Sequence, residues 1–394
     1  MRVTLIRSDV RRSPNVKARR AAACAAWLLL AALCARAQSQ RLDAGWQLLT
    51  DPSAALRVSD LARAPGWRDV RVGLSWNAQF ADLRDYMGVA WYRTGVNAPD
   101  LTGGKRALLR FGACDYYAEV FVNGTQVGAH EGGYTPFTFD VTEHLRAGAN
   151  DVVVRVVDPP MDEGENRAHF PQFLYGEIPH GKQNWYVQTG GLWQPVWLEV
   201  RPDLYIQNVR AVANADGSLV VSIVANKPFI LPSMPEKGGA PVQLTFRIYD
   251  PSGRLEPVTG SAGGKDNYAF MRTYLTDSQR WSLDHPNLYT VKVTLGADEV
   301  TERFGFRTFE ARDGKFYLNG EPFYMRAALD QDFYPETIYT PPSKEYVRDE
   351  MLKGKRMGLN LLRCHIKVCS PEYLEAADEV GMLVWYEIPS WNDG

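Results

Sequence analysis

Three patterns of hydrophobic and polar positions follow one another along the chain. Over residues 42–201, short β-rich runs alternate with turns. Trp91-Tyr-Arg-Thr-Gly-Val96, Ala107-Leu-Leu-Arg-Phe111 and Asp151-Val-Val-Val-Arg-Val-Val157 read as strands, the last closed by Asp158-Pro-Pro160. Glu119-Val-Phe-Val122 runs into Asn123-Gly124 and returns through Thr125-Gln-Val127. Asn and Gly both tolerate positive φ, so this pair predicts a type I′ hairpin. Asn123-Gly-Thr125 also fits a glycosylation sequon, but a turn is the simpler reading. Many short strands with Gly/Pro turns predict a jelly-roll β-sandwich.

Residues 202–308 repeat the alternation in a smaller unit. Leu219-Val-Val-Ser-Ile-Val224, Val242-Gln-Leu-Thr-Phe-Arg-Ile248 and Tyr289-Thr-Val-Lys-Val-Thr-Leu295 alternate with period two. Residues 233–239 and 261–265 read as loops between them. About 100 residues with roughly seven strands predict an immunoglobulin-like sandwich.

After Phe304-Gly-Phe-Arg307 the period changes. Phe316-Tyr-Leu-Asn-Gly-Glu-Pro-Phe-Tyr324 is a second Asn-Gly hairpin, and residues 324–328 read as a strand. Ser343 can cap a helix with Val347 and Met351 on one face. Gly358 stops it, and Asn360-Leu-Leu-Arg-Cys364 is the next strand. Ser370-Pro371 is an N-cap with Pro at N1, Leu374, Ala377 and Val380 line the buried face, and Gly381 is the stop. Met382-Leu-Val-Trp-Tyr386 is continuously apolar, as buried parallel strands are. The expected class is β followed by α/β, with residues 309–394 opening a (β/α)₈ TIM barrel. A whole barrel takes roughly 250 residues, so this chain reads as the N-terminal portion of a longer protein.

Composition and charge narrow the function. Net charge is −2, so no basic surface argues for nucleic acid. Aromatic residues make up 12%, with eleven Trp, which suits either β-sandwich cores or sugar stacking. Residues 1–37 read as a signal peptide. Arg11, Arg12, Lys17, Arg19 and Arg20 precede an apolar stretch from Ala21 to Ala35, and Ala35-Arg36-Ala37 is an A-x-A cleavage site. The mature chain then starts near Gln38, in the periplasm or outside the cell, with no membrane association after cleavage. A lipoprotein at Cys34 is the weaker alternative, because Leu33 stands where a small residue is expected; an uncleaved anchor is another. Cys114, Cys364 and Cys369 remain; three cysteines make no disulfide framework, and packing is the expected role of each. No His/Cys cluster has zinc spacing, so no metal site and no cofactor are read.

Three stretches together resemble glycoside hydrolase family 2, the β-galactosidase, β-glucuronidase and β-mannosidase group. They are Thr189-Gly-Gly-Leu-Trp-Gln-Pro-Val-Trp-Leu-Glu199, the Trp281-Ser-Leu-Asp-His-Pro-Asn-Leu-Tyr289 run, and Asn360-x-x-Arg363-x-His365 followed by Ala377-Asp378-Glu379-x-Gly381-x-x-Val384-x-x-Glu387. The resemblance covers about residues 42–394. After the signal peptide (1–37) read above, it implies a jelly-roll sugar-binding domain (38–201), an immunoglobulin-like domain (202–308) and the start of a catalytic barrel (309–394). It implies hydrolysis of O-glycosidic bonds of β-linked sugars by two glutamates at the ends of the fourth and seventh barrel strands. No Asn-Glu dipeptide, the family's acid/base signature, occurs in residues 309–394, so both glutamates are expected downstream and the fragment alone is expected to be inactive.

Function in such barrels gathers at the carboxyl ends of strands. That places Asp330, Gln331 and Asp332 after the first strand, Arg363 and His365 at the second, and Glu387 and Trp391 at the third. Arg363 offers a planar, permanently charged donor fork for a carboxylate or sugar hydroxyls. His365 is either a donor to substrate or a satisfied structural histidine. Glu387 either accepts from a sugar hydroxyl or holds Arg363. Trp185 or Trp193, near the jelly-roll motif, could stack on sugar or belong to the core. The chain departs from the family pattern twice. Ile366-Lys367 stands where Tyr-Pro usually follows the histidine, and Leu329-Asp-Gln-Asp-Phe-Tyr-Pro335 replaces a stretch usually rich in His and Glu. The expected partner is a carbohydrate, and homo-oligomerisation stays open. The competing reading is a secreted, non-catalytic carbohydrate-binding sandwich pair ending in a vestigial half-barrel.

Overall fold

The computed structural model describes residues 38–178, 186–232 and 240–388. The signal segment with its cleavage site, the expected loop at 233–239, Trp185 and Trp391 lie outside the described residues. The described chain is mostly β-sheet with few helices. Among the described residues no helix is long and apolar enough to cross a membrane.

The first region pairs a six-stranded with a four-stranded antiparallel sheet. The central ladder joins Gly88–Asn97 to Ala149–Asp158 over ten residue pairs. The apolar run in Ala149–Asp158 is long because both of its faces are covered. Val152, Val154 and Val156 enter the core between the sheets with Trp46, Leu109, Phe111 and Leu198. Val153 and Val157 enter a second cluster on the outer face, under Phe170, Phe173 and Ile178. Full burial of one such side chain contributes about 1.5–3 kcal/mol. The hairpin turn falls where expected, with φ of 52° at Asn123 and 81° at Gly124.

The second region packs the four-stranded sheet built on Ser218–Ala225 and Tyr268–Tyr274 against a three-stranded sheet centred on Tyr289–Leu295. Leu219, Val221 and Ile223 meet Val291, Val293 and Leu295 in one core. Residues 261–265 are a correction. They belong to the strand Gly260–Lys265, which pairs with Tyr268–Tyr274 at six positions. Gly, Ser and Ala carry little strand propensity, but an edge strand needs only its backbone to pair.

The third region is a parallel sheet of Ala327–Asp330, Leu361–Cys364 and Leu383–Tyr386, with a helix in each crossover. The first strand starts three residues later than the sequence pattern suggests, so Asp330 ends the strand rather than following it. Ser343 Oγ accepts from Tyr346 N–H at 3.1 Å and caps Lys344–Arg356. Ser370 caps Pro371–Val380 in the same way, and Gly381, at φ 73°, ends it. A side chain at Gly381 would strike the Leu283 carbonyl, its Cβ only 2.3 Å away. The buried face of Pro371–Val380 is Tyr373, Ala376, Ala377 and Val380, with Leu374 at its margin rather than its centre. Alternation then sorts the second strand: Leu362 and Cys364 pack under the helices, while Leu361 packs on the opposite face with Leu383 and Trp281.

Candidate functional site

Arg363 shares the face of Leu361, away from the helices, because residues two apart in a strand point the same way. It lies opposite Trp385 in the register, with the guanidinium 5.6 Å from the Trp385 ring. Arg363 Nε donates to Glu387 Oε1 at 2.6 Å, and the backbone N–H of Ile366 donates to Glu387 Oε2 at 2.8 Å. Ile366 reaches that position in a left-handed backbone conformation, φ 44°, which a β-branched residue rarely adopts. Desolvation pushes the Glu387 carboxyl up, but the Ile366 N–H and Arg363 outweigh it and hold the carboxyl below its usual range. His365 Nδ1 lies 3.1 Å from Gln331 Oε1, which ties the ends of the first two strands together. Trp385 is half-exposed beside this group. The strand ends thus present a paired cation and carboxylate, an imidazole, an amide and an aromatic face, a set suited to hydroxyl-rich ligands.

Asp330 and Asp332 do not join this face. Asp330 sits on the helix side, accepting from the Tyr373 hydroxyl at 2.6 Å and from its neighbour's N–H, Asp332 N, at 2.8 Å. Asp332 is enclosed. Lys367 Nζ lies 2.6 Å from Asp332 Oδ2, both side chains are fully buried, and the Tyr334 hydroxyl donates to Oδ1 at 2.7 Å. Lys367 Nζ also donates to the carbonyls of Asp332 and Tyr339 at 2.6 and 2.7 Å. Burial pushes the Asp332 carboxyl up and the Lys367 ammonium down, each partly offset by the other. Both aspartates therefore build the scaffold, and the expectation that they contact sugar is corrected. The period-two pattern could not reveal this, because it fixes which residues follow a strand but not how the loop folds back.

Two further expectations change. Cys364 and Cys369 form a disulfide rather than serving packing alone, while Cys114 stays a free buried thiol. The turn after Leu361–Cys364 returns over the core within five residues, a closure no spacing motif signals. Asp332, Cys364 and Cys369 place potential donor atoms within 4.8 Å of one another. Two of these are joined sulfurs and the third already holds the Lys367 ammonium, so this group does not suit a cation. Trp193 belongs to the core. Its Nε1 donates to the Gly133 carbonyl at 2.7 Å, and its ring meets Tyr339 edge-on at 5.1 Å. Thr340 Oγ1 donates to the Trp193 carbonyl at 3.0 Å, and the Tyr134 and Tyr339 hydroxyls meet at 2.5 Å. The motif at 189–199 thereby braces the loop that carries Asp332. Lys367 escaped the sequence reading; its place in the apolar run Cys-His-Ile-Lys-Val-Cys was the available signal.

Comparison with known proteins sets this geometry in context. Residues 62–164 match the family model for the sugar binding domain of glycosyl hydrolases family 2, and residues 236–307 match a second model, glycosyl hydrolases family 2. A β-galactosidase of Thermoanaerobacter pseudethanolicus is 30% identical over 315 residues, which are 78% of this chain and 40% of that protein. A putative β-glucuronidase of Formosa agariphila is 29% identical over 343 residues, covering 83% and 38%. The chain therefore spans less than half the length of these two curated relatives. The crystal structure of Ruminococcus gnavus β-glucuronidase in complex with uronic isofagomine superimposes with a TM-score of 0.70 at 22% identity, over 90% of this chain and 58% of that one. At that identity the likeness is one of fold.

Proposed function

Because this chain belongs to glycosyl hydrolase family 2, we propose that it forms the N-terminal part of an exported β-glycosidase that works by retention. In this reading residues 1–37 direct export, residues 38–201 are a jelly-roll sugar-binding domain, and residues 202–308 are an immunoglobulin-like support. Residues 309–394 open the catalytic barrel. Retaining hydrolysis uses two carboxyl groups about 5–5.5 Å apart, one protonating the leaving oxygen and the other attacking the anomeric carbon. Glu387 does not suit either task, since Arg363 and the Ile366 N–H occupy both of its oxygens. We place the acid/base and the nucleophile on later barrel strands of a longer polypeptide.

The observation that carries this reading is the Arg363–Glu387 pair at the carboxyl ends of adjacent parallel strands. Glu387 fixes the guanidinium through Nε, and among the described residues the two terminal nitrogens are left to face a ligand. His365 and Gln331 extend the hydrogen-bonding rim, and Trp385 offers an apolar face for a sugar ring. The test is a panel of aryl β-glycosides, including galactoside and glucuronide, on the full-length enzyme. Arg363→Ala should lower kcat/KM by at least about tenfold, or 1.4 kcal/mol, with the fold retained. Purified residues 38–394 should show no turnover. Turnover by that fragment, lost on Glu387→Gln, would overturn the placement of the catalytic pair. N-terminal sequencing of exported protein should begin near Gln38.

A further inference from the structure

The first region conceals a polar group that the glycosidase reading does not use. Asp115 is 2% exposed and Asp158, the last residue of its strand, is 0% exposed. The backbone of Asp115 exchanges two hydrogen bonds with Gly191, 3.0 and 2.9 Å long. Gln188 Nε2 donates to Asp158 Oδ1 at 2.7 Å. Gly190 passes so close that a Cβ there would lie 2.4 Å from Asp158 Oδ2. Residues 188–191 therefore adjoin the Asp158 carboxylate and the Asp115 backbone, while the Asp115 carboxylate lies against Gly133, whose Cβ would fall 2.8 Å from Asp115 Oδ1.

Four oxygens of this group are buried and have no hydrogen-bond partner: Asp115 Oδ1, Asp158 Oδ2, Gln188 Oε1 and Thr189 Oγ1. Orphaned buried polar atoms are rare, and each calls for a reason. Among the described residues no cation acts on either aspartate. Burial and then the Asp158 charge push the Asp115 carboxyl well up, and burial pushes Asp158 up against the Gln188 N–H. The other titratable groups nearby, Cys114, Tyr92 and Tyr86, are neutral or would add negative charge. Uncompensated buried carboxylates are costly. One shared proton would satisfy the carboxylates and leave Gln188 Oε1 and Thr189 Oγ1 orphaned. A hard cation would satisfy all four, since carboxylates and neutral oxygens are its ordinary ligands.

We propose that Asp115 and Asp158 bind a divalent hard cation, completed by Gln188 Oε1 and Thr189 Oγ1, inside the first sandwich. Calcium fits better than magnesium, because it accepts irregular all-protein oxygen sets whereas magnesium keeps its waters and demands octahedral geometry. The ion would pin residues 188–191, and through them Trp193 and the loop that Trp193 braces.

The experiment titrates chelator-treated protein with CaCl2 by calorimetry and follows the unfolding midpoint in EDTA and in about 1 mM CaCl2, within the range of extracellular calcium modules. The expected result is about one calcium per chain and a midpoint raised by calcium, with a smaller response to MgCl2 at equal concentration. Asp115→Asn and Asp158→Asn should each weaken binding by about tenfold or more. Thr189→Val keeps the side-chain volume, so it should fold and bind several-fold more weakly; it decides the matter if the aspartate variants fail to fold. Wild-type protein with no bound calcium and no midpoint shift would overturn the site and leave a shared proton as the explanation. Unchanged calcium affinity in Thr189→Val and the aspartate variants would overturn the assignment of ligands.

Discussion

Lys367–Asp332 and Arg363–Glu387 have the same nitrogen–oxygen separation, 2.6 Å, at the same end of the parallel sheet. Their surroundings are opposite. The first pair has no exposed side-chain surface; in the second, Arg363 is 37% and Glu387 18% exposed. Lys367 spends its ammonium on three protein oxygens, two of them carbonyls. Among the described residues Arg363 spends only Nε. Separation alone therefore assigns no role. An ion whose every donor is consumed by the protein holds the fold, while one with donors left over at a strand end is available to a ligand. The two pairs also meet through Ile366, whose N–H serves Glu387 while the next residue turns inward to Asp332.

The largest expected effect tests the enclosed pair. Lys367→Met leaves the Asp332 carboxylate buried and unpaired, which should cost about 3–5 kcal/mol in urea unfolding. Lys367→Met combined with Asp332→Leu should recover most of that loss. A cost below about 1 kcal/mol for the single variant would erase the contrast between the pairs. Arg363→Ala comes next. Its pair is partly solvated, so stability should fall by about 1 kcal/mol or less, however large the effect on turnover. A larger loss would make Arg363 a scaffold residue like Lys367.

A third test reads the electrostatics around the enclosed pair. Glu350 is pushed up to about 7 from an ordinary 4.5, by burial first and then by Asp330 and Asp332, with Lys353 opposing and Asp349 adding slightly. Between pH 4.5 and about 7 the folded protein keeps a proton there that the unfolded chain has released. This contribution is complete below pH 4.5 and is lost as pH rises through about 7. Glu350→Gln should flatten that slope and leave the variant relatively more stable at the alkaline end. An unchanged pH profile of the unfolding midpoint would show that the Asp330 and Asp332 charges are not felt at Glu350.

Much of this organisation was legible in the residues. Ser343, Ser370, Pro371 and Gly381 announced the helix ends because caps are local chemistry, and the Asn-Gly hairpins followed from backbone tolerance of positive φ. The Arg363–Glu387 pairing was one of two alternatives open for Glu387, because parallel register brings consecutive strand ends together. What stayed hidden depended on tertiary enclosure. Gly260–Lys265 has no side-chain pattern to betray a strand. Asp332 and Lys367 look like two solvent-facing charges 35 residues apart. They come from the two stretches where the chain departs from the family pattern, and the fold shows them to be one feature: each substitution supplies the partner of the other.

Trp281 carries a last consequence. It belongs by position to the second sandwich, yet its indole N–H donates to the Asp378 carbonyl at 2.8 Å and its ring packs on Leu361 and Leu383. Lys355 reaches back in turn to the carbonyls of Leu283 and Val380. In a chimera of two relatives, a seam placed after residue 308 would set a foreign tryptophan loop beneath a native sheet. The exchangeable unit is therefore the parallel sheet with its two helices together with the stretch from Arg280 onward, and recombination upstream of Arg280 would keep that floor from a single parent.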